Sequence, residues 1–587
     1  MVTHDSGAQG FPDRRNSRFA AAIFRTDHKT IGLRYLWSAL FSVFVGMITS
    51  LLMRLELVWP TAHPSLFSHF GAVPERYAAL TLLHGSLMVF MVLTTAPQAG
   101  FATYLLPSQI GARDVAFPKL SALAFWAIAI SLLGMVAAFL LTPAAAITVW
   151  ISSVAVFCAA SLLVAVNLAV TVIDLRAKGM TLPRLPVTVW AWCVNGILGM
   201  LIFGSLLAVC LCLLTDRFLG TGIFGTGAFL APLSTYSQAS GFIAEWQRLF
   251  WFFAQAQVYV AMIPCLGLVT HVLATLARRP VWMHRAVILA ICAFGALGFC
   301  FWGEHLFVNG LNPNASLAFS RLAAALGFPA IVFVVSWFGT LWGAKIRATT
   351  SMLFTLGFIS LFLTGGLSGL ILARHDLQST STRGDFVAGH FHLVMGAAAA
   401  FAMLAALFFW FPKIFGRPLD ERLGKLHFWL TFGGVYGVFM PMHWLGLIAH
   451  TSVTPQSHAM TLSTESFLSS FVTVAILFTT AAQTFFVANF VRSLRRRAQP
   501  AEPNPWRATT LEWACQSPVA QENVVSRETV VYRGAYEFGA ENSGGVAAVD
   551  FFPQHVPVDV AGITARCRET HMHGESAPPS SQPGGAS

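Results

Sequence analysis

Long apolar runs, separated by short polar connections, dominate the chain from residue 28 to residue 498. A membrane-crossing helix needs about 20 mostly apolar residues. Runs of that length begin near Gly32, Ala78, Leu120, Ala146, Pro186, Gly241, Trp282, Ser320, Ser351, Phe386, Lys425 and Ser466. The pattern predicts an all-α integral membrane domain of about twelve transmembrane helices. Residues 1–27 read as a polar, basic N-terminal tail, with no evident cleavable leader. Residues 499–587 read as a polar C-terminal tail, and its Ser/Pro/Gly-rich end, residues 577–587, has the composition of disordered chain.

Charge adds an orientation. Only 10% of the 587 residues are charged, against about 25% in soluble domains. The cations cluster in alternate connections: Arg176, Lys178 and Arg184; Arg278, Arg279 and Arg285; Lys345 and Arg347; Lys413, Arg417, Arg422 and Lys425. Arg492, Arg495, Arg496 and Arg497 follow the last run, while residues 309–316 on the other side are poor in charge. Basic connections stay cytoplasmic, so both termini are expected there. The net charge of +11 is thus a topology signal and gives no reason to expect nucleic acid. Most of the nine scattered cysteines lie in apolar runs, where cysteine acts as a small hydrophobe. There is no C-x-x-C-H for covalent haem attachment. Cys210-Leu211-Cys212 has no nearby histidine and is not expected to hold a metal.

The candidate chemistry centres on Gly389-His390-Phe391-His392, inside a long apolar run. Side chains two apart on a helix diverge by about 200°. One helix can therefore serve a separate centre on each flank. Ionisable groups at membrane depth usually mark function, and imidazole is a common axial ligand of haem iron. The plainer alternative is two histidines hydrogen-bonded between helices.

Further stretches carry a resemblance. They include Thr26-Asp27-His28-Lys29-Thr30-Ile31-Gly32, Arg54-Leu55-Glu56-Leu57, His84-Gly85-Ser86-Leu87-Met88 and Ile110-Gly111-Ala112-Arg113-Asp114. Later come Trp251-Phe252-Phe253, Gly365-Gly366-Leu367-Ser368-Gly369, Trp410-Phe411-Pro412-Lys413 and Leu511-Glu512-Trp513. In this order, from about Thr26 to Trp513, the chain resembles subunit I of the haem–copper oxidases, closest to cytochrome c oxidase of the haem A type. The resemblance implies two haems: His84 and His392 as axial ligands of a low-spin haem, and His390 as proximal ligand of a high-spin haem. It places Arg54 at the haem A formyl group. A buried arginine needs such an acceptor, although a charge snorkelling to the membrane interface fits Arg54 as well. It also implies a subunit II-like electron donor carrying copper, a subunit III-like helical partner, cytochrome c or a similar donor, surrounding membrane lipid, and a bacterial cytoplasmic membrane.

The copper position departs from the family. The family's Gly-His-Pro-Glu-Val-Tyr stretch reads Ala254-Gln255-Ala256-Gln257-Val258-Tyr259 here, and its adjacent histidines after a tryptophan read Trp302-Gly303-Glu304-His305. Copper favours imidazole, so Gln255, Glu304 and His305 make a poor copper set, and Tyr259 cannot form the family's histidine–tyrosine link. Gln255 and Tyr259 still share a helix face. The family's proton routes are altered too. Phe333 stands for its lysine, Ala330 for the preceding threonine, Thr103 for an asparagine and Gln257 for the terminal carboxylate, while Asp114 keeps the entrance carboxylate. Ser452 and Val453 replace its paired arginines, and Thr382 and Arg383 its magnesium ligands.

Three functions follow from these departures. One is a haem-binding electron-transfer or gas-sensing protein, an inactive or divergent oxidase-like subunit of a respiratory complex. Another is a reductase, for example of nitric oxide, with non-haem iron on Glu304 and His305, since mixed imidazole and carboxylate ligands suit iron. In that case Glu304 is a ligand or, if buried, a neutral acid. The third is an ordinary proton-pumping oxidase.

Overall fold

The structure, a computed structural model, describes residues 25–58, 73–224, 240–303, 313–374, 384–448, 455–495, 501–517, 529–538 and 551–557. Up to residue 495 these residues form mainly helices, those after 500 mostly turns and loops, and among the described residues there is no strand beyond a single bridge between Lys178 and Val530. In a bilayer a helix satisfies its own backbone polar groups, which is why the apolar runs take this form.

In chain order, α1 is His28–Val58. α2 comprises Val73–Ser86, a π-helical stretch Leu87–Gly100 and Phe101–Ile110. α3 is Pro118–Ala138, α4 Pro143–Asp174, α5 Val187–Leu219, α6 Ser240–Ala277 and α7 His284–Cys300. α8 joins Pro313–Ala325 to Gly327–Leu341, and α9 is Thr350–Leu372. α10 comprises Asp385–Phe391, a π-helical stretch His392–Ala397 and Ala398–Phe415. α11 is Glu421–Ile448 and α12 is Pro455–Arg495.

Every run expected from the sequence coincides with one of these helices. Ten of them contain a segment long and apolar enough to cross a membrane. The other two are α7, only 17 residues long, and α11. The chain is thus an integral, multi-pass membrane protein. The apolar window of α6 is wholly buried, against 22% for those of α1 and α12. α6 is therefore the central helix, and the outer helices turn apolar faces such as Phe41, Phe44, Phe467 and Val474 outward.

Parts of the expected polar tail pack back on the bundle. Leu511 and Glu512 are fully buried. Glu512 accepts hydrogen bonds from Gln109 on α2 (3.1 Å) and Trp410 on α10 (3.4 Å), and lies 3.5 Å from His271 on α6. Further on, the Val531 N–H donates to Lys178 O at 2.8 Å, and the Tyr536 hydroxyl accepts from the Val187 N–H at 3.0 Å. The tail end, residues 577–587, lies outside the described residues.

Candidate functional site: two histidine centres on one helix

The expected divergence of His390 and His392 is present. His392 faces α2, with its ring centre 6.4 Å from that of His84 and the two rings tilted by 31°. Its other neighbour is Phe439 on α11, stacked at 4.8 Å. His390 instead faces α9, where it meets Gly365 and Ser368.

All three rings are held in the same way. The Nδ1–H of His84 donates to Gly46 O (3.0 Å), that of His390 to Gly365 O (3.1 Å) and that of His392 to Ala388 O (2.7 Å). A carbonyl acceptor fixes the tautomer, leaving Nε2 as the nitrogen with a free lone pair, the usual arrangement of a metal-ligating histidine. An iron about 2.0 Å from each nitrogen, with each nitrogen about 1.1 Å from its ring centre, spaces two axial imidazoles by about 6.2 Å. The His84–His392 pair has that separation, so these residues fit a bis-imidazole haem.

Local sequence explains the approach. A Cβ on Gly365 would lie 2.4 Å from Val394 Cγ2 and 3.0 Å from the Val394 N, so glycine lets α9 close on α10. A Cβ on Gly369 would press His390 Cε1 at 3.1 Å. The π-helical stretches follow His84 and begin at His392. Such widened turns re-aim the side chains that follow and recur at functional sites.

His390 opens on a cavity of about 290 Å³ between α6, α7, α8, α9 and α10. Among its lining side chains only His390, Gln255 and Tyr259 carry hydrogen-bonding groups. Gln255 and Tyr259, which share a helix face, thus line the same cavity as His390. Gln255 is buried and its Oε1 has no hydrogen-bond partner. Tyr259 packs between Phe294 (5.9 Å, stacked) and Phe301 (5.7 Å, edge-on). Trp302 packs on Phe252 and Phe319, while Glu304 and His305 lie outside the described residues. Of the sequence-derived copper set only Gln255 is described, and its amide does not fit copper's preference for imidazole.

Arg54 is tied to α12, donating from Nε to Thr473 Oγ1 (2.9 Å) and from Nη2 to the carbonyl and hydroxyl of Ser469 (2.6 and 2.9 Å). Nearby, Arg76 and Glu56 form a part-buried ion pair at 3.3 Å. Phe333 is fully buried against Phe294 and Trp337, and Ala330, one turn before it, lines the cavity. The Gln257 amide donates to Thr94 on α2, leaving its Oε1 unpartnered. Thr103 is buried, with its carbonyl accepting from His28 Nδ1–H at 3.1 Å. The positions of Thr382, Arg383, Ser452 and Val453 lie outside the described residues.

Two features escaped the sequence reading. His443 on α11 repeats the histidine pattern, with Nδ1–H to Phe439 O at 2.7 Å and a buried, unpartnered Nε2. Gln98 on α2 and Asn195 on α5 are buried with both amide ends unpartnered, where Trp192 Nε1 ties α5 to Pro97 O at 2.9 Å. A lone histidine or amide in an apolar run carries no spacing signal; a better clue was the polar residue itself, at a depth where such groups are costly.

Asp114 lies in the turn after α2 and accepts the Val115 N–H at 2.7 Å. Burial pushes its carboxyl up to about 6, with Asp27 adding to the effect. The folded protein therefore holds this proton at pH values where an unfolded carboxylate, with pKa about 3.9, has released it. The associated stability is present below that lower value and is lost as pH rises to about 6. Infrared difference spectra should show a carboxyl band titrating near pH 6 and absent from Asp114→Asn. A band titrating as an ordinary exposed carboxyl would contradict the assignment.

Residues 30–478 match the family described as cytochrome c and quinol oxidase polypeptide I. The chain is 35% identical over 575 residues to the alternative cytochrome c oxidase subunit 1 of Bradyrhizobium diazoefficiens, covering 92% of this chain and 94% of that one. It is 34% identical over 538 residues to cytochrome c oxidase subunit 1 of Corynebacterium efficiens, covering 87% and 88%. A solved haem–copper terminal oxidase dimer shares the fold, with a TM-score of 0.64 over 81% of this chain and 85% of that one, at 16% identity. The helical bundle, the paired histidine centres and these likenesses agree: the chain belongs to the haem–copper oxidase subunit I family.

Proposed function

We propose that this chain is a haem-binding electron-transfer subunit with an intact haem half and a degraded copper half. His84 and His392 hold a low-spin haem, and His390 holds a second haem facing the cavity. The observation that carries this reading is the Nδ1–carbonyl anchoring of all three histidines together with the 6.4 Å spacing of His84 and His392. Bound haem supplies an iron that takes up and releases one electron at a time.

The protein's own residues do the rest. The carbonyls of Gly46, Gly365 and Ala388 orient the imidazoles, and Phe439 braces His392. Arg54 stands ready for a haem A-type formyl oxygen from its seat on α12. The cavity wall beside His390 is mostly apolar. In the full arrangement twelve helices span a bacterial cytoplasmic membrane with both termini cytoplasmic, as the basic connections require. Electrons arrive from a subunit II-like partner fed by cytochrome c or a similar donor, and a subunit III-like helical partner completes the complex.

Metal analysis with a haem assay tests the reading, on chain purified free of any copper-bearing partner. The expected result is two haems and no stoichiometric copper, because one imidazole replaces three at Gln255, Glu304 and His305. One tightly held copper per chain would return the protein to the ordinary oxidases. One non-haem iron beyond the haem iron would favour the carboxylate-ligated reductase.

A further inference from the structure

The low-spin centre has a second layer of polar groups beside it. Seven positions separate Asp385 from His392 on α10, and seven separate Tyr77 from His84 on α2. Seven residues are close to two turns, so each polar group returns to the face of its histidine, on the N-terminal side. His84 and His392 meet across the α2–α10 interface with ring centres 6.4 Å apart. About 10 Å along the same two helices, Tyr77 and Asp385 stand in matching places. Arg54 of α1 joins the two places, since its charge interacts with that of Asp385 and with Tyr77.

The charges in this layer are not interchangeable. Arg54 is anchored on α12, with Nε on Thr473 and Nη2 on Ser469. Arg76 and Glu56 offset each other in their own ion pair at 3.3 Å. Among the described residues Asp385 is the acid that interacts with Arg54. The helix dipole favours an acid in the first turn of a helix, and Asp385 is one. That role needs only a helix end. It does not account for an acid on the His392 face opposite Arg54. Partly buried charges are screened weakly, so they act over about 10 Å more strongly than charges in bulk water.

Haem iron gives the pair a use. Ferric iron carries one more positive charge than ferrous iron. A nearby carboxylate therefore favours the ferric form, and a nearby guanidinium favours the ferrous form. Burial and the groups around the ligands are the means by which a protein tunes a haem's potential. We propose that Asp385 sets the reduction potential of the low-spin haem, its carboxylate offsetting the field of Arg54 and holding the potential down. This rests on the reading of His84 and His392 as haem ligands.

The test is a spectroelectrochemical titration of the low-spin band in the full chain with its haems, beside Asp385→Asn, Asp385→Glu and Tyr77→Phe variants. Asparagine keeps the size of the side chain and removes its charge, so the potential should shift to a more positive value. Glutamate keeps the charge and should stay near the parent. So should Tyr77→Phe, which alters the same layer without a change of charge. The amplitude of the low-spin band serves as the folding control. Thermal unfolding separates the helix-end role, which moves stability and leaves the potential alone. An Asp385→Asn band titrating at the parent potential overturns the proposal and leaves haem ligation by His84 and His392 standing. An equal shift in Asp385→Glu or Tyr77→Phe would trace the effect to packing and overturn it as well. If the unmodified chain has no low-spin band, the ligand assignment is wrong and the proposal falls with it.

Discussion

In a His392→Ala variant, the low-spin haem absorbance is lost. The argument rests on how few groups serve this centre. His392 and His84 are the only imidazoles facing each other across the α2–α10 interface among the described residues, with ring centres 6.4 Å apart. A low-spin iron needs both strong axial ligands. Alanine removes one of them and also leaves Phe439 without the ring it stacks on at 4.8 Å. Loss of an outer partner of a metal ligand typically costs 10–100-fold in affinity, and loss of the ligand itself costs more. Reduced-minus-oxidised spectra of variant and parent read the result directly. Phe439→Leu, which keeps both imidazoles, should retain the low-spin band. A His392→Ala spectrum identical to the parent's would sink the assignment.

Oxygen consumption far below that of an ordinary oxidase, with no proton ejection, is the second large expectation. Reducing oxygen to water needs four electrons and matched protons at one site. Proton transfer in catalysis needs groups that titrate near working pH. Phe333 offers no such group, and its ring is locked between Phe294 and Trp337 with no exposure. Gln257 is an amide, without a usable pKa, and its N–H donates to Thr94. Asp114 stands at the turn after α2, and Gln257, the position that the resemblance makes the far end of its route, does not titrate. Histidine restored at 255 and 304 alone should therefore not recover turnover. Lysine at 333 and glutamate at 257 should be needed as well. Phe333→Lys places an ammonium in an aromatic cluster, and burial disfavours its charged form strongly, so the haem spectrum must confirm that the variant folds. Oxygen-electrode traces with a chemical donor and the natural partners decide the matter. Rapid reduction to water coupled to proton release by the unmodified protein would refute this account.

The sequence by itself determined the parts governed by short-range periodicity. Apolar run length against bilayer thickness placed every helix from α1 to α12, because a buried backbone in lipid has few alternatives. The spacing of His390 and His392 required that they serve opposite flanks, since the angle per residue is a property of one helix. What only the tertiary structure decided were meetings between distant segments. That His392 faces His84 at 6.4 Å, that Arg54 docks on Ser469 and Thr473 some 415–419 positions away, and that Glu512 in a polar tail returns to Gln109 and Trp410 are facts of packing. So is the unpaired amide of Gln255, because a residue type says which hydrogen bonds it can make and only its neighbours say which it does make.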